Sequence, residues 1–193
     1  MLTSTDFSGL INERFFRNFL PIPANSTLNL GEITPAFELP DVTHKRPVSL
    51  SDYRGKQPVI LAFTRIFTEK QYCPFCYPHI KAMKENYEQF TNLGAEILMI
   101  TSTDKEQSEK VVQDLGLKMP LLSDSRCLLF RNYGVGQALG APLPAQFVLD
   151  KEGKLIFKHL FSFLDSNASV DRLLKVLQKN SEVRIQESEF SIG

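Results

Sequence analysis

The sequence predicts an α/β domain, a mixed central sheet flanked by helices on both faces. Three observations carry that prediction. Val59–Phe63 is a continuous apolar run, the pattern of a strand buried on both faces, and Glu96–Ile100 reads as a second central strand. Between and after them, apolar residues recur at helical spacing. Phe147–Leu149 and Leu155–Phe161 then flank a turn at Lys151–Gly153 and lead into an amphipathic stretch, which reads as an antiparallel hairpin followed by a closing helix.

Taken in order, Phe7, Leu10, Ile11, Phe15 and Phe19 predict an aromatic-striped helix over residues 6–20, widened by Phe16 and Leu20 and stopped by Pro21 and Pro23. A polar connector over Ala24–Leu30 follows. Residues 1–30 form an N-terminal extension, 31–180 the domain proper, and 181–193 a loose polar tail. Pro35–Leu39 and Val48–Leu50 predict short strands around a turn at His44–Pro47, and Ser51–Gly55 a single helical turn. The strand Val59–Phe63 passes through a loop into a helix reaching Asn92, with Ile80, Met83, Tyr87 and Phe90 inward and Gly94 as its stop. After Glu96–Ile100, Asp104 caps a helix to Leu115, Leu121-Leu122 forms a short strand, and Ser123-Asp124 caps a helix to Tyr133. Val170, Leu173, Leu174 and Leu177 mark the last helix.

Composition narrows the function. The chain has 193 residues, 42% hydrophobic and 23% charged, with 22 basic and 22 acidic side chains. A balanced charge argues against nucleic acid or an anionic membrane as the main partner. No apolar run approaches a membrane span and no secretory leader is visible, so a cytoplasmic location is expected. The 3 cysteines are too few for a disulfide framework.

Two of them share the tetrapeptide Cys73-Pro-Phe-Cys76. It falls after a strand and a loop, where a helix begins. Pro74 suits the first helical position, which makes Cys73 the N-cap. A thiolate there faces free backbone N–H groups and the positive helix end, so its pKa drops. Cys76 lies one turn further in, within reach of a disulfide. An exposed attacking thiol backed by a buried resolving thiol is suited to dithiol–disulfide exchange. A zinc site needs four ligands, and only Cys127 and His79 are available to complete one. A c-type haem needs His directly after the second cysteine, where Tyr77 stands. No metal or organic cofactor is implied. His79 is a candidate proton shuttle set against a solvated surface histidine; Cys127 reads first as core packing and second as a further thiol.

Pro144 stands just before the strand Phe147–Leu149. A Cys-x-x-Cys at a helix start and a proline ahead of a hairpin strand together resemble the thioredoxin-like fold. Further blocks are Pro35–Leu39, Leu50–Gly55, Pro120–Asp124, Tyr133-Gly134-Val135 and Phe147–Asp150. In their order along residues 30–178 they resemble the alkyl hydroperoxide reductase and thiol-specific antioxidant (AhpC/TSA) superfamily, the peroxiredoxins and their relatives. Cys73-Pro-Phe-Cys76 is also similar to a glutaredoxin-type active site. The resemblance implies a peroxiredoxin-type N-terminal extension, a cis Leu143–Pro144 bond beside the cysteines, and a peroxide or a disulfide-bearing protein as substrate. It also implies a thiol reductant such as thioredoxin, glutaredoxin or glutathione.

The chain departs from the family at two places. Peroxiredoxins carry Pro-x-x-x-Thr/Ser-x-x-Cys, whereas Lys70 stands three residues before Cys73 and Ile66 seven before it. The family's later arginine falls near Asn167. Arg65 and Lys70 are the candidate replacements. These departures favour a thiol–disulfide oxidoreductase using Cys73 and Cys76, supported by Pro74, Pro144, Arg65, Lys70 and His79. A thiol-dependent peroxide reductase is the alternative, and a non-catalytic interaction module ranks third. The N-terminal aromatic stripe is expected to pack on its own domain or to form a homodimer contact.

Overall fold

The computed structural model describes the backbone of residues 9–190 and the side chains of residues 9–182. In chain order, helix α1 (Glu13–Arg17) is followed by strands β1 (Glu38–Asp41), β2 (Arg46–Ser49), β3 (Val59–Phe63), β4 (Ile66–Thr68) and β5 (Gln71–Tyr72). Helices α2 (Cys76–Glu85) and α3 (Tyr87–Asn92), strand β6 (Glu96–Thr101), helix α4 (Lys105–Leu115), strand β7 (Leu121–Ser123) and helix α5 (Leu128–Asn132) come next. Strands β8 (Gln137–Ala138), β9 (Ala141–Pro142), β10 (Ala145–Leu149) and β11 (Leu155–Leu160) precede helix α6 (Val170–Phe190).

Seven strands form the central sheet in the order β11-β10-β3-β6-β7-β1-β2. β3, β6 and β7 run parallel, while β10 and β1 join antiparallel on either side. All five residues of β3 are buried, as the continuous apolar run requires. The pleat sends Ile60 and Ala62 to a layer with Ile80, Met83, Phe90, Val111, Leu173 and Leu177. Leu61 and Phe63 face the opposite way. There the Phe63 ring lies 5.1 Å from Phe130, 5.3 Å from Tyr133 and 5.7 Å from Phe147. The predicted α/β architecture with helices on both faces is the observed one.

Local chemistry explains where elements start and stop. Ser49 and Asp52 form a reciprocal capping box around the short turn Leu50–Asp52. Asp104 accepts the Gln107 N–H to start α4, and Gly116, at φ 57°, ends it in the left-handed region. Asp124 accepts the N–H groups of Leu128, Leu129 and Phe130, so its side chain caps α5. The single helix expected up to Asn92 is two, because Asn86 turns its side chain back onto the Ala82 carbonyl and breaks the regular ladder.

Four further expectations are corrected. The N-terminal helix spans only Glu13–Arg17, since Gly9 is left-handed and Asn12 caps the helix by accepting the Phe15 N–H. Its buried side chains are Arg14 and Asn18, whereas Ile11, Phe16, Phe19 and Leu20 are exposed; Phe7 lies outside the described residues. Polar partners on the domain decide that orientation. Arg14 donates to the Phe67 carbonyl and to Ser102 Oγ, and Asn18 Nδ2 reaches Cys127 Sγ at 3.7 Å. Second, the stretch before Cys73 is no plain loop: β4 and β5 pair as a short ribbon. Third, no peptide bond is cis among the described residues, so Leu143–Pro144 is trans. The Leu143 N–H is held by the Gly136 carbonyl and the preceding β9 pairs with β8, so the chain enters β10 already extended. Trans is also the isomer X-Pro bonds prefer by roughly 0.5–1 kcal/mol. Fourth, α6 continues to Phe190, past the expected loose tail. Residues 181–190 contain no glycine or proline to stop it.

Candidate active site around Cys73 and Cys76

The parallel strands deliver this site at their C-terminal ends, the edge where open α/β sheets leave room for ligands. Phe63 ends β3 opposite Ala145 of β10, and the Thr64 N–H continues the pairing to the Ile100 carbonyl. The chain then makes the β4–β5 ribbon and returns, with the Cys73 N–H donating to the Arg65 carbonyl at 3.3 Å. The Cys73 carbonyl accepts from the N–H groups of Cys76 and Tyr77, both at 3.0 Å. A turn closes on the Cys73 carbonyl, but the expectation that Cys73 is the N-cap is corrected: Phe75 is the N-cap of α2. Regular α2 starts only at Cys76 because Pro78 has no N–H to continue the ladder.

Both sulfurs are buried, Cys73 at 4% exposure and Cys76 at 0%, and both are free thiols. The expected exposed nucleophile is therefore recessed. Cys73 is the more exposed residue of the two. Its pKa is lowered to about 6. The hydrogen bond from the Cys76 thiol is the largest cause, followed by the backbone N–H groups of Phe75 and Cys76 and the Arg65 charge, while burial opposes them. Cys76 is pushed up, first because its proton is held on the Cys73 sulfur, then by burial and by the Cys73 charge. One thiol is primed as a thiolate and the other is kept protonated.

The supporting candidates fall into two groups. Arg65 stands beside the pair: its backbone N–H reaches the Cys76 sulfur and its charge favours both thiolates. The same guanidinium donates to the Ala138 and Leu139 carbonyls of the β8–β9 ribbon, and burial lowers its own pKa. Pro144 is buried immediately before Ala145, so register places it at the end of β3 from which the cysteine segment departs. Lys70 lies elsewhere, exposed at the turn between β4 and β5. His79 is buried, not solvated, and its ring donates from Nε2 to the Ala168 carbonyl at 3.1 Å. Burial lowers its pKa to about 4, so it is neutral at ordinary pH. Cys127 is buried in the aromatic layer at the start of α5, and burial raises its pKa. Among the described residues no group of three or more His, Cys, Asp or Glu side chains is arranged to hold a metal ion.

Sequence reasoning missed the roles of two polar residues, one that bonds the cysteine turn and one that holds the first in place. Gln146 of β10, fully buried, donates to Asn167 Oδ1 at 2.9 Å and accepts the Ala168 N–H at 2.7 Å. Asn167 Nδ2 in turn donates to the Phe75 carbonyl at 3.1 Å. A glutamine inside an otherwise apolar buried strand was the available signal.

A mixed thioredoxin-like sheet carrying a thiolate–thiol pair at a helix start defines a thiol-based redox protein. The family model described as AhpC/TSA matches residues 30–158. The chain belongs to the AhpC/TSA family, whose enzymes are thiol-dependent peroxidases or thiol–disulfide oxidoreductases. It is 32% identical over 152 residues to chloroplastic peroxiredoxin Q of Sedum lineare, covering 77% of each chain. It is also 28% identical over 150 residues to the thiol-disulfide oxidoreductase ResA of Bacillus anthracis, covering 77% of this chain and 79% of the relative. Among solved structures, Enterococcus faecalis AhpC superposes with a TM-score of 0.70 at 19% identity, over 82% of this chain and 95% of the other. No helix among the described residues is long and apolar enough to cross a membrane.

Proposed function

We propose that the protein is a thiol–disulfide oxidoreductase in which Cys73 attacks and Cys76 resolves. The observation that carries this reading is the hydrogen bond from the Cys76 thiol to the Cys73 sulfur, which makes one sulfur a thiolate and holds the other protonated one turn away. Cys73 thiolate attacks a substrate disulfide; a Cys73–substrate bond forms, the substrate S–S bond breaks, and one substrate thiolate leaves. The negative charge on Cys73 is then gone, so the cause that raised the Cys76 pKa most is removed. Cys76 gives up its proton to the departing thiolate or to solvent and attacks the Cys73 sulfur. The Cys73–Cys76 disulfide forms and the second substrate thiolate departs. Two electrons pass from the dithiol to the substrate, and an external thiol reductant such as thioredoxin, glutaredoxin or glutathione restores them.

Arg65 supports the thiolate by its charge, and Pro144 shapes the wall beside it. His79 serves as an anchor between α2 and Ala168 in this reading, since its ring nitrogen is bonded to the Ala168 carbonyl. Peroxide reduction is the second reading. It is favoured by the peroxiredoxin Q relatives and by Thr64 Oγ1 and Arg65 Nε, both buried and without a hydrogen-bond partner near the cysteine segment.

Stopped-flow of the reduced protein with hydrogen peroxide, beside a turnover assay on a disulfide substrate, separates the two. The Cys76→Ser protein should trap a mixed disulfide on Cys73 with the disulfide substrate. Fast sulfenic acid formation at low peroxide, with negligible disulfide turnover, establishes the peroxidase reading instead. Full turnover by Cys73→Ser removes both.

A further inference from the structure

The loop between β11 and α6 is tied to the cysteine turn by a chain of side-chain amides whose orientations are mutually determined. The Ala168 N–H can only donate, so the Gln146 oxygen must face it, at 2.7 Å. Gln146 Nε2 then points at Asn167, which must answer with Oδ1, at 2.9 Å. Asn167 Nδ2 is left to donate to the Phe75 carbonyl, at 3.1 Å. No flip of either amide satisfies all three bonds, so the donor presented to Phe75 is set by backbone geometry three links away.

The Phe75 carbonyl belongs to the same planar peptide unit as the Cys76 N–H. That N–H donates to the Cys73 carbonyl at 3.0 Å, closing the turn that carries both cysteines, and it is one of the two backbone N–H groups that favour the Cys73 thiolate. A donor on the carbonyl side of a peptide fixes its plane and polarises its N–H, strengthening what that N–H can do for an anion. The Ala168 carbonyl meanwhile accepts from His79 of α2 at 3.1 Å, so residues 167–168 are held from β10 and from α2 at once. The clamp is therefore rigid where it meets the cysteine turn.

We propose that Asn167 is a positioning residue for the dithiol: by donating to the Phe75 carbonyl it holds the Phe75–Cys76 peptide in the turn whose N–H closes on the Cys73 carbonyl, and so fixes how Cys76 faces Cys73; Gln146 sets the orientation in which Asn167 can do so. Asn167 does not touch the reacting sulfurs; it acts through one peptide plane. The inference rests on the reading of Cys73 as the nucleophilic thiolate.

The test is the pH dependence of Cys73 alkylation by iodoacetamide in the reduced full chain, resolved by peptide mass spectrometry. The wild-type profile tests the underlying reading, because a Cys73 midpoint near that of an ordinary thiol removes the activated nucleophile. The difference between variant and wild type tests the inference. Asn167→Leu removes the donor; Asn167→Asp preserves size but presents an acceptor to the Phe75 carbonyl. Both should move the midpoint upward by roughly half to one pH unit, a roughly 3- to 10-fold slower alkylation below the midpoint. Gln146→Leu should move it the same way, because Asn167 loses its orienting partner. If Asn167→Leu fails to fold, Asn167→Asp and the smaller Asn167→Ser carry the comparison. Variants that melt lower yet titrate Cys73 at the wild-type midpoint overturn the proposal and leave Asn167 a packing residue only.

Discussion

Replacing Cys76 with alanine isolates the hydrogen bond on which the reactivity of Cys73 rests. The Cys76 thiol is the largest single influence lowering the Cys73 pKa from an ordinary 9.0 to about 6. Hydrogen bonds to charged groups contribute roughly 1.5–3 kcal/mol. At 1.36 kcal/mol per pH unit, removing this one raises the midpoint by about 1–2 units. The backbone N–H groups of Phe75 and Cys76 and the Arg65 charge survive the substitution and keep the rest of the depression. At pH 6 the thiolate fraction of Cys73 should fall from about one half to roughly 1–10%, and alkylation should slow in proportion. Cys76→Ser keeps a hydroxyl donor and should restore most of the depression. The assay is iodoacetamide alkylation against pH, read at the Cys73 peptide so that Cys127 does not contribute. A Cys76→Ala midpoint within about 0.3 units of wild type refutes the reasoning and assigns the activation to the helix start and Arg65 alone.

Further expectations follow from the same contacts. Because the folded-state pKa of Cys73 lies below its unfolded value, the unfolded chain binds more protons between about pH 6 and pH 9, so the reduced protein should lose stability as pH falls from about 9 to about 6; chemical denaturation of wild type against Cys73→Ala should show a slope that the variant lacks. Replacing His79 by alanine should cost roughly 1–3 kcal/mol in urea unfolding through its buried bond to Ala168, while the alkylation midpoint of Cys73 stays within about half a unit; a large midpoint change instead restores a role in proton transfer. Arg14→Met loses the bonds to Phe67 and Ser102 and should lower stability by roughly 1–3 kcal/mol while making the β4–β5 ribbon more open to proteolysis; an unchanged melting temperature and digestion pattern count against that clamp. Gly140→Ala places a Cβ 2.0 Å from the Phe15 ring at a φ of 86°, so α1 should detach and be cleaved first in limited proteolysis; protection equal to wild type means Phe15 has repacked without loss.

The sequence by itself determined the sheet's central strands and the dithiol. Val59–Phe63 and Ile97–Ile100 are legible because a strand buried on both faces needs an uninterrupted apolar run, and that requirement is local. Cys73 and Cys76 are legible because the spacing of two thiols about one helical turn is itself the chemistry. What only the tertiary structure decided depends on partners far along the chain. Periodicity assigned the aromatic side of the N-terminal helix inward, but Arg14 and Asn18 face the domain because the Phe67 carbonyl, Ser102 and Cys127 offer them polar partners from 53 to 109 residues away. The ribbons β4–β5 and β8–β9 are too short to print a period of two. The Gln146–Asn167–Phe75 chain joins residues up to 92 positions apart, a pairing that no local pattern encodes. A motif pairs the two sulfurs; the surrounding backbone N–H groups, the Arg65 charge and the burial that tune them exist only once the chain has folded around them.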